Sequence, residues 1–276
     1  MLIVPAPYQK LFWRGPKYRD IILRQVKTPQ HSPDLRPLSV MGYRNSNSMK
    51  FLGRLYTFFQ AAPIALEEPV VIIHSPFKTG TTTIGNALVM LGVGAEDHGY
   101  HRNLNIGYKE QMNEANRLAL ESRSFNRFKR VHGKRVLLLL SDLAEQVKDY
   151  RIFGDVPFGH LRMHPFTKKL LMPAAKFIWV DRDEVAWLES ARRWHLSHPD
   201  IYPGFDERWS NDPEREKRKL IKLRDDGFRE FARLQKRFPD DCLVLSLEKD
   251  ANWDKLCDFL GKDIPDAPFP VLNTSR

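Results

Sequence analysis

The sequence predicts a three-layer α/β fold, a mainly parallel central sheet flanked by helices, and three observations carry that expectation. Short β-branched apolar runs recur along the chain. They alternate with amphipathic segments of helical period. The first run feeds through a glycine-containing loop directly into a helix. With 276 residues, 42% apolar and 11% aromatic, there is enough material for a packed core, which excludes wholesale disorder. Cys242 and Cys257 are too few for a disulfide framework in a chain this long. The longest apolar runs, around Val70–Ile73 and Val136–Leu140, fall far below the ~18 residues that suggest a membrane span. The start, MLIVPAPYQKLFWRG, has no basic segment ahead of a long apolar one, so it reads poorly as a signal peptide. A cytoplasmic protein without a transmembrane segment is expected.

Residues 1–66 read as a basic, proline-containing arm ahead of an α/β domain over residues 67–276. Up to residue 60 the arm holds ten Lys or Arg against Asp20 and Asp34, which is +8 of the chain's net +10. Six prolines (Pro5, Pro7, Pro16, Pro29, Pro33 and Pro37) oppose regular structure, leaving room for one short helix near Met49–Gln60. The charge is either a solvated positive surface or a field that attracts an anionic partner. No zinc spacing, aromatic RNA-binding signature or basic heptad accompanies it, so a specific nucleic acid is not expected.

From residue 68, EPVVIIHS reads as a fully buried strand, PFKTGTTT as a loop, and IGNALVMLG as a helix with Ile84, Leu88 and Leu91 on one face and Gly92 at its C-terminus. Further strands are expected at Lys134–Leu140, Lys176–Asp181 and Cys242–Leu247. Helices fit at Asn103–Arg130, Asp183–His198, Pro213–Phe238 and Asn252–Leu260.

Strand, glycine loop and helix together make a phosphate-binding turn, because loop N–H groups and the positive helix end can face an anion. The loop is not the G-x-x-x-x-G-K-[ST] form of ATP- and GTP-using enzymes. Gly80 would be its last glycine, but Thr81 stands where Lys belongs and Ser75 where the first glycine belongs, with the lysine at Lys78 instead. Asp142 and Asp181 are the only candidates for a second Mg²⁺ ligand. A Mg-dependent P-loop kinase or nucleotide hydrolase is thereby weakened but stays as an alternative.

The run His74–Thr83, HSPFKTGTTT, resembles the P-K-[ST]-G-T-T 5′-phosphosulfate loop of sulfotransferases that use 3′-phosphoadenosine 5′-phosphosulfate (PAPS), with Phe77 inserted between Pro76 and Lys78. Lys176–Ser190, KFIWVDRDEVAWLES, resembles that family's 3′-phosphate segment, a strand ending in Arg followed by a helix with Ser eight positions later. NWDKLCDFLGKDIPDAPFPVLN is similar to the family's W-x-x-L-C-x-F-L-G…P-F-P ending. The resemblance runs in order over residues 68–273, and RDEVAWLES and GDVPF look most like a branch found in bacteria, fungi and other eukaryotes. It implies a P-loop-like three-layer fold and transfer of a sulfuryl group from PAPS, as co-substrate and without a metal, to a hydroxyl or amine.

The residue chemistry agrees with those matches. Arg182 falls at a strand's C-terminal end, where open α/β sheets bind ligands, and its planar guanidinium suits a phosphate. Ser190 lies two helical turns beyond Asp183, on the same face as the helix start. The competing reading makes Arg182 a surface residue paired with Asp183 or Glu184. Trp187, Ala191 and Trp194 read as helix core rather than as an adenine platform.

Roles follow from what sulfuryl transfer demands. Lys78 is the candidate to meet charge developing on the leaving bisphosphate or the sulfonate. Thr79, Gly80, Thr81 and Thr82 would hold the 5′-phosphate, and Thr83 stands where many family members carry an adenine-stacking Trp. Phe153–Pro157, FGDVP, occupies the place of the family's His-Leu-Pro, with Asp155 at the position of the His base; other branches use a carboxylate there. Asp155 is therefore either the general base or the cap of a turn before Pro157. His98 and His101, in AEDHGYHRN, are rival bases and also suit acceptor binding. His160, His164, His195 and His198 show no partner spacing, and no metal site is expected.

The partners expected are a small-molecule or glycan acceptor, intracellular in the absence of a signal anchor, with a homodimer left open. Asn103–Arg130 and His195–Arg218 are expected to line or cover the acceptor site. A non-catalytic anion-binding protein that keeps the cradle without a competent base is the second alternative.

Overall fold

The computed structural model describes residues 70–250 and 252–270. The basic arm over residues 1–66, with its expected helix at Met49–Gln60, lies outside the described residues. Among those described, the order is β1 (Val71–Ile73), α1 (Thr81–Met90), α2 (Arg102–Gly107), α3 (Lys109–Leu120), α4 (Phe125–Gln146), β2 (Ile152–Phe153), α5 (Pro165–Leu171), β3 (Lys176–Asp181), α6 (Glu184–Ser197), α7 (Phe205–Asn211), α8 (Pro213–Arg237), a 3₁₀ turn (Pro239–Asp241), β4 (Cys242–Ser246) and α9 (Trp253–Leu260).

The four strands form one parallel sheet in the order β2-β1-β3-β4. Residues 70–73 are wholly buried because the strand alternates between two cores. Val70 and Ile72, with Phe153, Phe177 and Trp179, face a core completed by Met112 and Leu118 of α3, Phe128 and Leu140 of α4, Phe166 and Leu170 of α5, and Phe231 of α8. Val71 and Ile73, with Ile178, Val180 and Leu245, face Ile84 and Leu88 of α1 and Leu256 and Cys257 of α9. This is the expected three-layer α/β arrangement, each fully buried aliphatic or aromatic side chain contributing about 1.5–3 kcal/mol. No helix among the described residues is long and apolar enough to cross a membrane.

Two expectations are corrected. Lys134–Leu140 is not a strand but the middle of α4. The run VLLLL hides a helical stripe: Phe125, Phe128, Val136, Leu140 and Leu143 are buried at helical spacing while Leu137, Leu138 and Leu139 are half-buried. Ser124 starts this helix by accepting a hydrogen bond from Arg127 N at 3.3 Å. The expected helix Asn103–Arg130 is three elements, α2, α3 and the start of α4. The strand that completes the sheet beside β1 is instead β2, two residues long.

The remaining elements sit close to expectation. In α1 the C-cap is Leu91, with Gly92 following at φ +67°. Beyond α9, Trp253 donates through Nε1 to Ala267 O (2.7 Å) and its ring meets Phe269 edge-on, which ties the segment after the helix back to the start of α9.

Candidate active site

Because all four strands run parallel, their C-terminal ends share one edge, and the segments 74–80, 154–155, 182–183 and 247–248 all leave from it. β1 lies between β2 and β3, so the crevice at the ends of β1 and β3 is the topological switch point, where open α/β sheets bind ligands.

The loop after β1 is tied to β3 and α6 by its own backbone. His74 N donates to Ile178 O (2.8 Å), and Ser75 Oγ accepts from Val180 N (2.6 Å). Thr79 Oγ1 donates to Pro76 O (2.8 Å), and Trp187 Nε1 to Phe77 O (2.9 Å). Lys78 and Gly80 both take positive φ, +65° and +100°. At Gly80 a Cβ would also lie 2.7 Å from Leu247 Cδ1, so only glycine fits. The chain then enters α1 with no side-chain cap, and the first helical bond is Ile84 N to Gly80 O. The first turn of α1, with no side-chain cap, thus turns the positive end of the helix to the loop. Thr81 and Thr83 are buried and Thr82 is exposed.

Cations gather at this loop. Arg182, from the end of β3, donates from a terminal guanidinium nitrogen to Lys78 O at 2.8 Å, and its buried Nε has no partner among the described residues. The Lys78 ammonium is pushed below the usual lysine range by burial first, then by the charges of Arg182 and Arg193. Such mutual repulsion is what a bound anion relieves. Sequence reasoning missed Arg193; its position three residues after Ser190 on one helix face was the available signal. Ser190 is buried on α6 and makes no hydrogen bond to Arg182 among the described residues. Asp183 does not pair with Arg182 but caps α6, accepting from Ala186 N (2.9 Å). Of the aspartates considered as Mg²⁺ ligands, Asp142 lies within α4, and Asp181 accepts from Arg224 at 2.6 Å.

A second cluster forms where β2 ends. Asp97 bridges to Ile152, His98 N donates to Ile152 O (2.8 Å), and His101 N reaches Val156 O (3.4 Å). These bonds bring His98, His101 and Asp155 together, so the three base candidates share one place. His98 stacks on His101 with centroids 4.1 Å apart and meets Tyr150 edge-on. Its ring is buried with neither nitrogen partnered among the described residues, and burial, then His101, lowers its pKa to about 4. Asp155 does cap the turn before Pro157, through Val156 N to Oδ1 (2.6 Å), and the same oxygen lies 3.5 Å from His160 Nε2. Burial pushes the Asp155 carboxyl up, but the hydrogen bond and charge of His160, the Val156 N–H and His98 outweigh it and hold it below the usual carboxylate range. Asp97 was not singled out from the sequence. Its Oδ1 accepts from Gly154 N (2.6 Å), and a Cβ on either Gly85 or Gly154 would run into its carboxylate. Burial above all, helped by the charge of Asp155, raises Asp97 to about 6.

His160 joins the two clusters, through Ser75 O on one side and Asp155 on the other, and no spacing along the chain marked it. Its backbone is left-handed at φ +48°, its N–H donates to Ile73 O (3.0 Å), and its carbonyl accepts from Lys168 Nζ (2.7 Å). Nδ1 lies 3.1 Å from Ser75 O. A carbonyl only accepts, so Nδ1 carries a hydrogen. Lys168 is fully buried, which holds its ammonium well below the usual lysine range, and its Nζ also meets His74 Nδ1 at 2.8 Å. The other three histidines set aside are structural. His164 Nδ1 accepts from Phe166 N while Nε2 meets Glu230, and His195 and His198 bond the carbonyls of Ala191 and Trp194.

Trp187 and Ala191 are core, as expected. Trp194 is half-buried and packs on Phe77 of the loop (5.4 Å) and on Tyr202 (5.1 Å). Burial, then Tyr100 and the charge of Asp155, raises the Tyr202 phenol above its usual range.

Compared with models of known families, residues 70–276 match one described as a sulfotransferase domain. No curated protein matches the chain.

Proposed function

The chain belongs to the sulfotransferase family, and from that premise we propose that it moves the sulfuryl group of PAPS onto a hydroxyl or amine of a small-molecule or glycan acceptor. The observation that carries this reading is the Arg182–Lys78 contact. Two anion-binding segments about a hundred residues apart meet at the switch point, with the uncapped start of α1 beside them. PAPS supplies the sulfuryl group and a bisphosphate leaving group, and the residues present fit a doubly anionic molecule. The loop amides and Thr79–Thr83 would take its 5′ end, and Arg182 with Ser190 and Arg193 the 3′-phosphate.

Lys78 would meet the negative charge that develops as the bisphosphate leaves, at the point where a preorganised cation contributes most. Asp155, held ionised, would take the acceptor's proton, its Oδ2 being the oxygen turned from Val156 N and His160. His98 favours the neutral form so strongly that it suits contact with the acceptor better than storage of a proton. A screen with ³⁵S-labelled PAPS against hydroxyl and amine acceptors tests the reading. Asp155→Asn should lower kcat 10²–10⁴-fold while leaving affinity for adenosine 3′,5′-bisphosphate within about twofold. Full turnover in that variant would move the base to His98 or His101.

A further inference from the structure

We propose that Asp97 is a positioning residue that sets the spacing between α1 and the turn carrying Asp155: its carboxylate is wedged between Gly85 and Gly154 and holds that turn against the helix. This inference rests on the reading of Asp155 as general base and adds what fixes the base relative to the donor.

The wedge is built from both sides. Oδ1 accepts from Gly154 N at 2.6 Å, one residue before Asp155. A Cβ on Gly154 would lie 2.3 Å from Oδ2, and a Cβ on Gly85 would lie 2.2 Å from the same atom. Both positions must therefore be bare where the carboxylate enters. Gly85 is buried in α1, four residues after Thr81. One carboxylate thus touches the helix whose start would face the donor and the backbone that carries the base.

β2 has little with which to hold that turn, being two residues long and ending at Phe153. Asp97 is itself fixed by a parallel bridge to Ile152, and His98 N donates to Ile152 O (2.8 Å). Beyond Gly154 the turn closes on itself, with Gly159 N donating to Asp155 O and Val156 N to Asp155 Oδ1, both at 2.6 Å. The Asp155 side chain is tied to its own backbone in this way, so a shift at Gly154 is a shift of the base. Group transfer is sensitive to such shifts, since a misplacement of about 1 Å can cost about 10²-fold in rate.

The same geometry separates positioning from catalysis. Burial above all raises Asp97 to about 6, a value that would suit a base. Its oxygens are committed elsewhere, Oδ1 to the Gly154 N–H and Oδ2 against two glycine backbones. Oδ1 accepts that bond whether or not Oδ2 carries a proton, so the hold depends on shape and the bond rather than on charge.

That distinction chooses the variants. Asp97→Asn keeps the shape and an oxygen for Gly154 N, whereas Asp97→Ala loses both. In turnover of PAPS with an acceptor from the screen, Asp97→Ala should lose at least about tenfold in kcat with bisphosphate affinity within about twofold. Asp97→Asn should stay within about threefold of the parent kcat. An Asn variant as slow as Ala, or an Ala loss confined to KM, overturns the inference. Gly85→Ala reaches the wedge from the helix, adds a good helix former, and should also lose at least about tenfold in kcat. Parent kcat in that variant overturns the wedge even if Asp97→Ala fails to fold. With the carboxyl removed, the new Cβ meets only the side-chain Cβ of residue 97, at 3.5 Å, so the double variant should be no slower than Asp97→Ala alone. Losses that multiply would overturn the wedge. Amide hydrogen exchange at Gly154 in the full chain reads the bond without turnover. Protection should be kept in Asp97→Asn and fall at least about tenfold in Asp97→Ala. Unchanged exchange in Asp97→Ala overturns the inference whichever residue is the base, whereas loss of the base reading itself shows separately as full turnover in Asp155→Asn.

Discussion

Lys78 concentrates the chemistry of the cradle in one residue. Its backbone is left-handed, its carbonyl is tied to Arg182, and its ammonium is crowded by Arg182 and Arg193. A lysine held by its backbone and repelled by its neighbours is preorganised for charge that appears only in the transition state. Lys78→Ala should therefore lower kcat by about 10²–10³ and weaken bisphosphate binding far less. Equal losses in both, measured by steady-state kinetics beside calorimetry, would make Lys78 a binding residue only. The sequence singled out Lys78 by its place in the phosphate loop and Arg182 by its place at a strand end, and Asp155 only through the family resemblance, beside His98 and His101. Asp97, His160 and Arg193 were not singled out. Their roles arise from approach across the sheet edge: Asp97 fits only because Gly85 and Gly154 are bare, and His160 matters only because Ser75 and Asp155 reach it from different strands.

At the scale of elements, the longer strands and most helices announced themselves, whereas the apolar run inside α4 and the two-residue β2 did not. The apolar run at Val70–Ile73 and the segment Lys176–Asp181 contain the strands β1 (Val71–Ile73) and β3. The same signal misled at Lys134–Leu140, because a helix pressed on several sides shows a continuous apolar run too. Length should have arbitrated: the helical stripe extends from Phe125 to Leu143, well beyond a strand. β2, by contrast, has two residues and too little sequence to carry any period, yet it positions Asp155. Short elements that aim a side chain are set by their neighbours, here β1 and the bridge at Asp97, rather than by their own residues.

For the whole molecule, buried histidines govern the response to acid. His98 and His195 are both lowered to about 4 by burial, and His74 and His164 are lowered as well. The unfolded chain, with imidazoles near 6.5, binds more protons than the folded one in this range. Stability from these groups is therefore full above about pH 6.5 and is lost as pH falls towards about 4. Asp97 acts with the opposite sign: raised to about 6, it takes up a proton in the folded state first and offsets part of the loss between about 6 and 4. Thermal melts should accordingly show Tm falling on acidification below pH 6.5, and falling more steeply in Asp97→Asn. A shallower fall in that variant would contradict the burial assigned to Asp97.

The central claim is that segments from β1 and β3 meet to form one anion site for the donor, and calorimetric titration with adenosine 3′,5′-bisphosphate tests it most directly. The protein, without added metal, should bind the bisphosphate with micromolar affinity and Arg182→Ala should lose most of it, while ATP with Mg²⁺ binds weakly to both. Tight binding of Mg²⁺–ATP in preference to the bisphosphate, or bisphosphate binding indifferent to Arg182, would contradict the account.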